Sequence, residues 1–298
     1  MPSILIVDDE RSIRTMLSDY FADRYEVVCA ENGVQALDLL AKRKIDLVIS
    51  DISMPEMNGI ELLCAVRERH PTVKCALLTG NNIDHFITSD KKEYIGNIIP
   101  KTAPFNFAEL EAIARGLITG DIFGLKRYLL ADGTILAQYK ITSSDDGRSV
   151  RKKAIGLFIE RFGSAGDMEL VLDEIITNAV YHAPSTDSGD DKYPSYSKIT
   201  LKPGEYVYVE CGCDREKYGV SITDRKGRLK KETVLRKMER QISGAGLLDE
   251  SGRGIHMSRL FADRMVINID PGRKTEVILM NYLSPAYRGF KPLYINEL

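Results

Sequence analysis

Residues 169–183 read ELVLDEIITNAVYHA, and the fold of the C-terminal half turns on how they are understood. Leu172, Ile175, Ile176, Ala179 and Val180 fall at i, i+3, i+4, i+7 and i+8, the apolar face of a buried amphipathic helix. Leu170, Glu174, Asn178 and His182 run along another side at steps of four, and the polar part of that stripe begins at Glu174. A carboxylate and an amide one turn apart on a core helix are costly to bury unless something is bound there. The bland alternative is that both cap neighbouring backbone or face solvent. The rest of the chain has to decide.

The 298 residues suffice for two domains of ordinary size. No apolar run approaches the ~20 residues needed to span a bilayer. The opening MPSILIVDDE lacks the basic segment of a signal peptide. Cys29, Cys64, Cys75, Cys211 and Cys213 are an odd number without a framework spacing, so reduced thiols in a cytoplasm are expected. The net charge of −2 hides an asymmetry: residues 1–120 hold 13 Lys/Arg against 18 Asp/Glu, and the remainder 28 against 25. Neither half is basic enough to be a nucleic-acid binder.

Up to about residue 119, short apolar runs (3–7, 25–30, 46–50, 73–78 and 95–99) alternate with helical patterns beginning near Arg11, Gly33, Gly59, Ile83 and Asn106. Such alternation predicts a parallel sheet covered on both faces, with its working groups just beyond the strands' carboxyl ends. Those ends carry Asp8 and Asp9, then Asp51, Thr79 and Lys101. Three crowded carboxylates repel one another and call for a hard divalent cation such as Mg²⁺. A carboxylate can also attack phosphorus to give an aspartyl phosphate.

Asp8-Asp9, the Asp51-Ile-Ser-Met-Pro-Glu-Met-Asn-Gly59 loop, Thr79-Gly80 and Lys101 resemble, in order and spacing, the receiver domain of two-component response regulators. The resemblance implies that Asp51 is the phosphoacceptor. It also implies that Asp8, Asp9, Asp51 and the Ser53 carbonyl hold Mg²⁺, and that Lys101 and Thr79 bind the phosphoryl group. Two positions depart from the family: Ile98 replaces an aromatic three residues before the lysine, and Thr102 replaces the proline after it.

Residues 105–117 are expected to be the last receiver helix. The apolar stretch 121–130 follows, either tucked against its own domain or serving as a semi-rigid coupling element. Beyond a strand at 134–141, Ser143-Ser144-Asp145 offers a cap for a helix over 148–161. After the Glu174/Asn178 helix comes a polar loop, 183–196, then strands expected near 197–201, 205–211 and 218–223. Asp224-Arg-Lys-Gly227, a helix near 231–242 and Gly252-Arg-Gly254 follow, with closing strands at 264–270 and 275–282. Glycines that open a helix let backbone amides approach a phosphate.

The order Glu174-xxx-Asn178, Asp224, Gly252-Arg-Gly254 resembles the GHKL (Bergerat) ATPase superfamily. Asn178-Ala-Val-Tyr-His-Ala183 and the Gly-Arg-Gly-Ile segment are most similar to the anti-sigma-factor serine/threonine kinases. The resemblance implies Mg²⁺ and ATP as cofactors. In it Asn178 helps hold the metal, Glu174 is a general base and Asp224 accepts the adenine amino group. Gly252 and Gly254 wrap the phosphates, with Gly227 and Thr275 near the nucleotide. Lys226 stands where the family has its first glycine, and Gly227 comes one place late. None of the four histidines lies in the dimeric hairpin that a histidine kinase uses for self-phosphorylation.

The expected fold is α/β: a doubly wound five-stranded parallel receiver domain over 1–119 and an apolar helical junction over 120–133. A two-layer α/β sandwich of the GHKL type over 134–283 and a tail over 284–298 complete it. The expected function is a cytoplasmic response regulator, charged on Asp51 by a sensor histidine kinase or phosphotransfer protein. Its output would be a serine/threonine kinase acting on an antagonist protein or switching a sigma factor, without direct nucleic-acid or membrane binding, and as a possible homodimer. The alternatives are a non-enzymatic partner-switching module and a histidine-kinase-type module acting in trans.

Overall fold

The computed structural model describes residues 1–80, 82–89, 92–94, 96–186, 190–246, 253–288 and 291–298. The chain divides into two units, Met1–Ile122 and Phe123–Leu298. No helix among the described residues is long and apolar enough to cross a membrane.

In the first unit, strands β1 (Ser3–Val7), β2 (Glu26–Ala30), β3 (Leu47–Asp51), β4 (Lys74–Thr79) and β5 (Asn97–Pro100) alternate with helices. The helices are α1 (Arg11–Phe21), α2 (Gly33–Leu40), α3 (Gly59–Arg69), α4 (Asp84–Ile87) and α5 (Phe107–Thr119). The strands pair in parallel in the order β2-β1-β3-β4-β5. β1 and β3 are buried along their whole length, which is why their sequences are nearly unbroken apolar runs. Strand order reverses between β1 and β3, and a doubly wound sheet binds its ligand beyond the carboxyl ends at that point.

Asn32, Asn58 and Asn106 cap the helices that follow them, accepting from Gln35 N at 2.9 Å, Glu61 N at 3.0 Å and Glu109 N at 3.1 Å. Gly120, at φ 70°, ends α5. The helix expected from Ile83 is only one turn, α4, followed by a 3₁₀ turn at Lys92–Tyr94. At its end Ser89 bonds back to the Phe86 carbonyl through both its amide, at 3.2 Å, and its Oγ, at 2.7 Å. Ile95, the expected start of the fifth strand, lies outside the described residues.

The second unit holds β6 (Thr134–Ile141), α6 (Ser144–Phe162), α7 (Met168–Thr177), β7 (Val207–Cys213) and β8 (Lys217–Asp224). It continues with α8 (Lys231–Ile242), α9 (Arg253–Phe261), β9 (Arg264–Asp270), β10 (Lys274–Tyr282) and β11 (Leu293–Glu297). The sheet order is β6-β7-β8-β10-β9-β11, antiparallel except that β11 lies parallel to β9. Helices α6, α7, α8 and α9 pack on one another as a single layer. This is a two-layer α/β sandwich.

Ser143 caps α6, accepting from Asp146 N at 3.1 Å, while Asp146 Oδ2 accepts from Thr142 N at 2.9 Å. The strand expected at 197–201 does not form. Its backbone is spent on the chain around the start of α6, where Ser144 N donates to Ile199 O at 3.1 Å and Leu201 N to Thr142 O at 2.8 Å.

The two faces of this sheet differ in kind. Ile222, Asp224, Met265, Ile267, Thr275 and Val277 point into a cavity under the helix layer. The alternating positions, Ser221, Asn268 and Glu276, form a buried polar row on the reverse. Glu276 accepts from Gly124 N at 2.9 and 3.1 Å, Ser221 Oγ at 2.6 Å and Asn268 Nδ2 at 3.0 Å. In this way the segment after Phe123 is fastened to the reverse face. Leu125 fills space that the missing side chains of Gly212 and Gly219 leave open. Leu130 N donates to Asp214 Oδ2 at 2.8 Å. Where a junction helix was expected over 121–130 there is one 3₁₀ turn, Leu125–Tyr128, because Gly124 turns the chain at φ 102° and gives its amide to Glu276.

Candidate functional site

The acidic rim of the first unit is assembled by strand ends. Asp8 follows β1, Asp51 closes β3, Thr79 closes β4 and Lys101 follows β5; Asp8, Asp51 and Thr79 are all buried. Lys101 Nζ stands 2.8 Å from Asp8 Oδ2 and 2.6 Å from Asp51 Oδ1. Asp51 Oδ2 accepts from Ser53 N at 2.7 Å, and Asp8 Oδ1 from Glu10 N at 3.0 Å. Lys101 N donates to the Thr79 carbonyl at 2.8 Å, which ties the ends of β4 and β5 together at the rim.

Burial raises the Asp8 carboxyl above its ordinary value, with Lys101 opposing. Burial also works to lower the Lys101 ammonium, but the hydrogen bonds to Asp51 and Asp8 outweigh it and hold its pKa up. Asp9 follows Asp8 at the rim and is exposed. No group of three His, Cys, Asp or Glu side chains among the described residues is arranged to hold a metal. Asp8 Oδ2 is nevertheless a buried carboxylate oxygen that meets the Lys101 ammonium at 2.8 Å. Together with Asp51 it supplies the hard oxygen donors that Mg²⁺ requires.

One residue of this site was not singled out as a site residue from sequence. A Cβ on Gly59 would lie 2.1 Å from the Asp51 carbonyl oxygen, so only glycine lets α3 start so close to that backbone. Ile98, in the departing position before the lysine, is fully buried in β5. Thr102 Oγ1 donates to the Pro104 carbonyl at 2.8 Å.

The cavity of the second unit has a volume of about 810 Å³, within the range of small-molecule and cofactor sites. Asp224, Thr275, Glu174 and Asn178 all line it. Glu174 and Asn178 are one turn apart, and Asn178 Nδ2 donates to Glu174 Oε1 at 3.2 Å. From Asn178 the helix loosens into a π turn, Asn178–His182, with Ala183 N bonding back to Asn178 O at 3.1 Å. Such turns recur at functional sites.

Asp224 is pinned by its own turn: Oδ1 accepts from Lys226 N at 2.7 Å and Gly227 N at 3.1 Å. Burial raises its carboxyl, against these two amides and Thr275. Thr275 stands across the ladder from Asp224, its buried hydroxyl lacking a hydrogen bond of full geometry.

Lys226 contributes its amide to this turn, and its side chain is not part of the cavity lining. Gly227 does not line the cavity either. At φ 58° it seats the turn on the β9–β10 connection, where a Cβ would lie 2.3 Å from the Asp270 carbonyl oxygen. The displaced glycine therefore still does a glycine's work, as support for Asp224. Gly254 lies against Glu174: a Cβ there would be 1.8 Å from Glu174 Cγ. Gly252 lies outside the described residues.

Sequence reasoning missed the cluster at the cavity edge. Arg228 donates to the His182 carbonyl at 2.8 Å and to Asp191 Oδ1 at 3.1 Å, and His182 Nδ1 is 2.6 Å from Asp191 Oδ2. Burial alone would raise Asp191, but His182 and Arg228 prevail and hold it below the ordinary carboxylate value. Nothing in a polar loop marks one aspartate among several for this role. Lys230, Thr233 and Lys237 also line the cavity. Lys230 stands just before α8 and the other two on it.

The fold and rim of the first unit define a receiver domain, and the sandwich and cavity of the second define a histidine-kinase-like ATPase domain. Comparison with known proteins agrees. Residues 4–115 match the family described as the response regulator receiver domain, and residues 150–280 the histidine kinase-like ATPase domain, which is of the GHKL type. The chain belongs to the response regulator receiver family and carries that ATPase domain after the receiver.

Sporulation initiation phosphotransferase F of Bacillus subtilis (strain 168) is 33% identical over 108 residues, 36% of this chain and 86% of that protein. Transcriptional regulatory protein CpxR of Escherichia coli (strain K12) is 36% identical over 120 residues, 40% of this chain and 50% of that one. The chain thus spans about half the length of such regulators. Among solved structures, response regulator TrrA of Thermotoga maritima in complex with Mg²⁺-BeF is 35% identical over 39% of this chain and 99% of its own, with a TM-score of 0.36.

Proposed function

We propose that Asp51 takes a phosphoryl group from a sensor histidine kinase or phosphotransfer protein, and that this state controls an ATP-dependent serine/threonine kinase in the second unit. The observation that carries the reading is the cavity lined by Asp224 and Thr275 on the sheet and by the Glu174/Asn178 pair on α7. In the first unit, an Asp51 carboxylate oxygen attacks phosphorus, the bond from phosphorus to the donor's histidine nitrogen breaks, and that nitrogen leaves with the electron pair. Lys101, already paired with Asp51 Oδ1, compensates the charge of the phosphoryl oxygens, and the Thr79 hydroxyl binds one of them. Asp8, Asp9 and Asp51 would hold Mg²⁺, which supplies further charge neutralisation.

In the second unit Asp224 would accept a hydrogen bond from the adenine amino group, Thr275 would lie near the nucleotide, and Asn178 would help hold Mg²⁺, which would neutralise phosphate charge. Glu174 removes the proton from a serine or threonine hydroxyl of the antagonist protein as that oxygen attacks the terminal phosphorus; the bond from that phosphorus to the bridging oxygen breaks, and ADP leaves with the electron pair. Residues 123–130 are the coupling element. Their fastening to Glu276 puts them directly behind Thr275 and Val277, which line the cavity.

Labelled ATP incubated with candidate protein partners, with and without acetyl phosphate, tests this. Acid-stable label on a partner that changes when Asp51 is charged is expected. Acid-labile label on the partner would point instead to a histidine kinase acting in trans. Absence of ATP binding, or affinity for Mg²⁺-nucleotide that Asn178→Ala leaves unchanged, would refute the kinase reading. The packing of Glu174 against Gly254, with Asn178 bonded to it, favours one second reading: a partner-switching module that binds a sigma factor or its antagonist and does not turn ATP over. ATP binding without label transfer would establish that alternative.

A further inference from the structure

Tyr196 lines the cavity yet is 78% exposed, and its backbone sits at φ 61°, a region bulky L-residues avoid. Its hydroxyl makes no hydrogen bond among the described residues, and its nearest aromatic neighbour, Tyr181, is 6.4 Å away centroid to centroid at a 41° tilt. An aromatic side chain left in water on a strained backbone gains little from the folded protein itself.

The chain on either side of it is firmly held. Asp191 is paired to Arg228 and His182, and Lys192 and the Tyr193 hydroxyl bond to the buried Glu205. On the other side Tyr181 Oη donates to the Ser197 carbonyl at 2.7 Å, and Ser197 Oγ to the Pro194 carbonyl at 2.6 Å. These anchors hold Tyr196 in its unfavourable conformation. Strain kept in place by its surroundings clusters at ligand clamps.

We infer that Tyr196 is a nucleotide-contacting residue whose ring stacks on the base of a purine nucleotide in the cavity, an assignment that rests on the nucleotide reading given above. A planar base would bury the exposed ring face and give the strained turn its return. Because every base has a π-face, the stack grips without discriminating. Selection for adenine is then left to Asp224, through the amino group.

The full chain has no tryptophan, so Tyr196→Trp places a single reporter at the cavity. Titration with ATP is expected to change its emission, and unchanged emission at saturating ATP would overturn the assignment. Calorimetry is expected to show Tyr196→Ala binding ATP about 5- to 100-fold more weakly, the range for loss of one aromatic–base stack, with Tyr196→Phe near the parent. Tyr196→Gly, which tolerates φ 61°, is expected to lose affinity equally while melting no lower than the parent, which separates ligand contact from folding. If the parent binds ATP and Tyr196→Ala matches it within twofold, the stacking role fails while the nucleotide reading stands. If the parent binds neither ATP nor ADP, the nucleotide reading fails and takes the stack with it.

Discussion

The acidic rim and the cavity are both built from carboxylates beside strands, yet one is closed on itself and the other is open. At the rim, Lys101 stands between Asp8 and Asp51 at 2.8 and 2.6 Å, so one ammonium already offsets part of the charge of the two carboxylates. In the cavity, Asp224 is engaged by its own turn, while Lys230 and Lys237 line the walls without an ion pair among the described residues. A site for a small group such as phosphoryl needs only a few atoms at fixed distance, which strand ends supply directly. A site for a nucleotide needs space, and the sheet and helix layers must be held apart to keep it.

The largest expected effect breaks the comparison at the rim. Asp51→Asn should abolish acid-labile phosphoryl incorporation from acetyl phosphate, measured on Phos-tag gels, while ATP binding in the cavity persists. Retained incorporation would move the phosphoacceptor elsewhere. Next comes Gly227→Ala, which puts a Cβ 2.3 Å from the Asp270 carbonyl oxygen at φ 58°. It should destabilise the second unit by roughly 2–4 kcal/mol in chemical denaturation, a value typical of strain at a special backbone position. A neutral result would mean that the Asp224 turn does not depend on this seat.

A smaller effect is expected from Glu276→Gln on the reverse face. An amide cannot accept at both ends as the carboxylate does from Gly124 N, Ser221 Oγ and Asn268 Nδ2. A loss of about 1–3 kcal/mol is expected. If the coupling role of residues 123–130 is right, the response of ATP affinity to acetyl phosphate should weaken with it. Unchanged coupling would show that the fastening serves stability alone.

The smallest effect is the pH dependence, and it has two signs. Asp214 is buried, which opposes ionisation, but the Leu130 amide and the Lys217 ammonium prevail and hold its carboxyl below the ordinary 3.8. Its contribution is therefore present above 3.8 and is lost as pH falls through the lowered value. Asp224 is raised by burial, so its contribution is complete below 3.8 and disappears as pH rises through the raised value. Comparing acid titrations of stability for Asp214→Asn and Asp224→Asn against the parent should therefore show slopes of opposite sign.

Much of this molecule was legible in its sequence, for reasons that differ between the units. The five parallel strands could be read because β1 and β3 are buried along their length and are therefore mostly apolar, with polar residues confined to their ends. The helix carrying Glu174 and Asn178 could be read because its period of 3.6 matches one buried face. Residues 197–201 looked like a strand and are not, because local β-preference carries no information about which backbone will be available as a partner. The one-turn α4 escaped because a bond back from Ser89 to the Phe86 carbonyl leaves no mark on the hydrophobic period. Gly227 appeared one place late for the aspartate turn, and only the contact with the β9–β10 connection reveals what it does.

What the sequence by itself determined is the order of the elements and the chemical types on offer: carboxylates and a lysine at strand ends, and an acid–amide pair on an amphipathic helix. Periodicity and local capping carry that information, and they act over a few residues. What only the tertiary structure decided is which groups meet. Lys101 meets Asp8 and Asp51, Glu276 reaches back 152 residues to Gly124, and Tyr196 comes to face the cavity. These are contacts between distant parts of the chain, set when buried polar groups find partners and buried apolar faces exclude water, and no local pattern encodes the pairing.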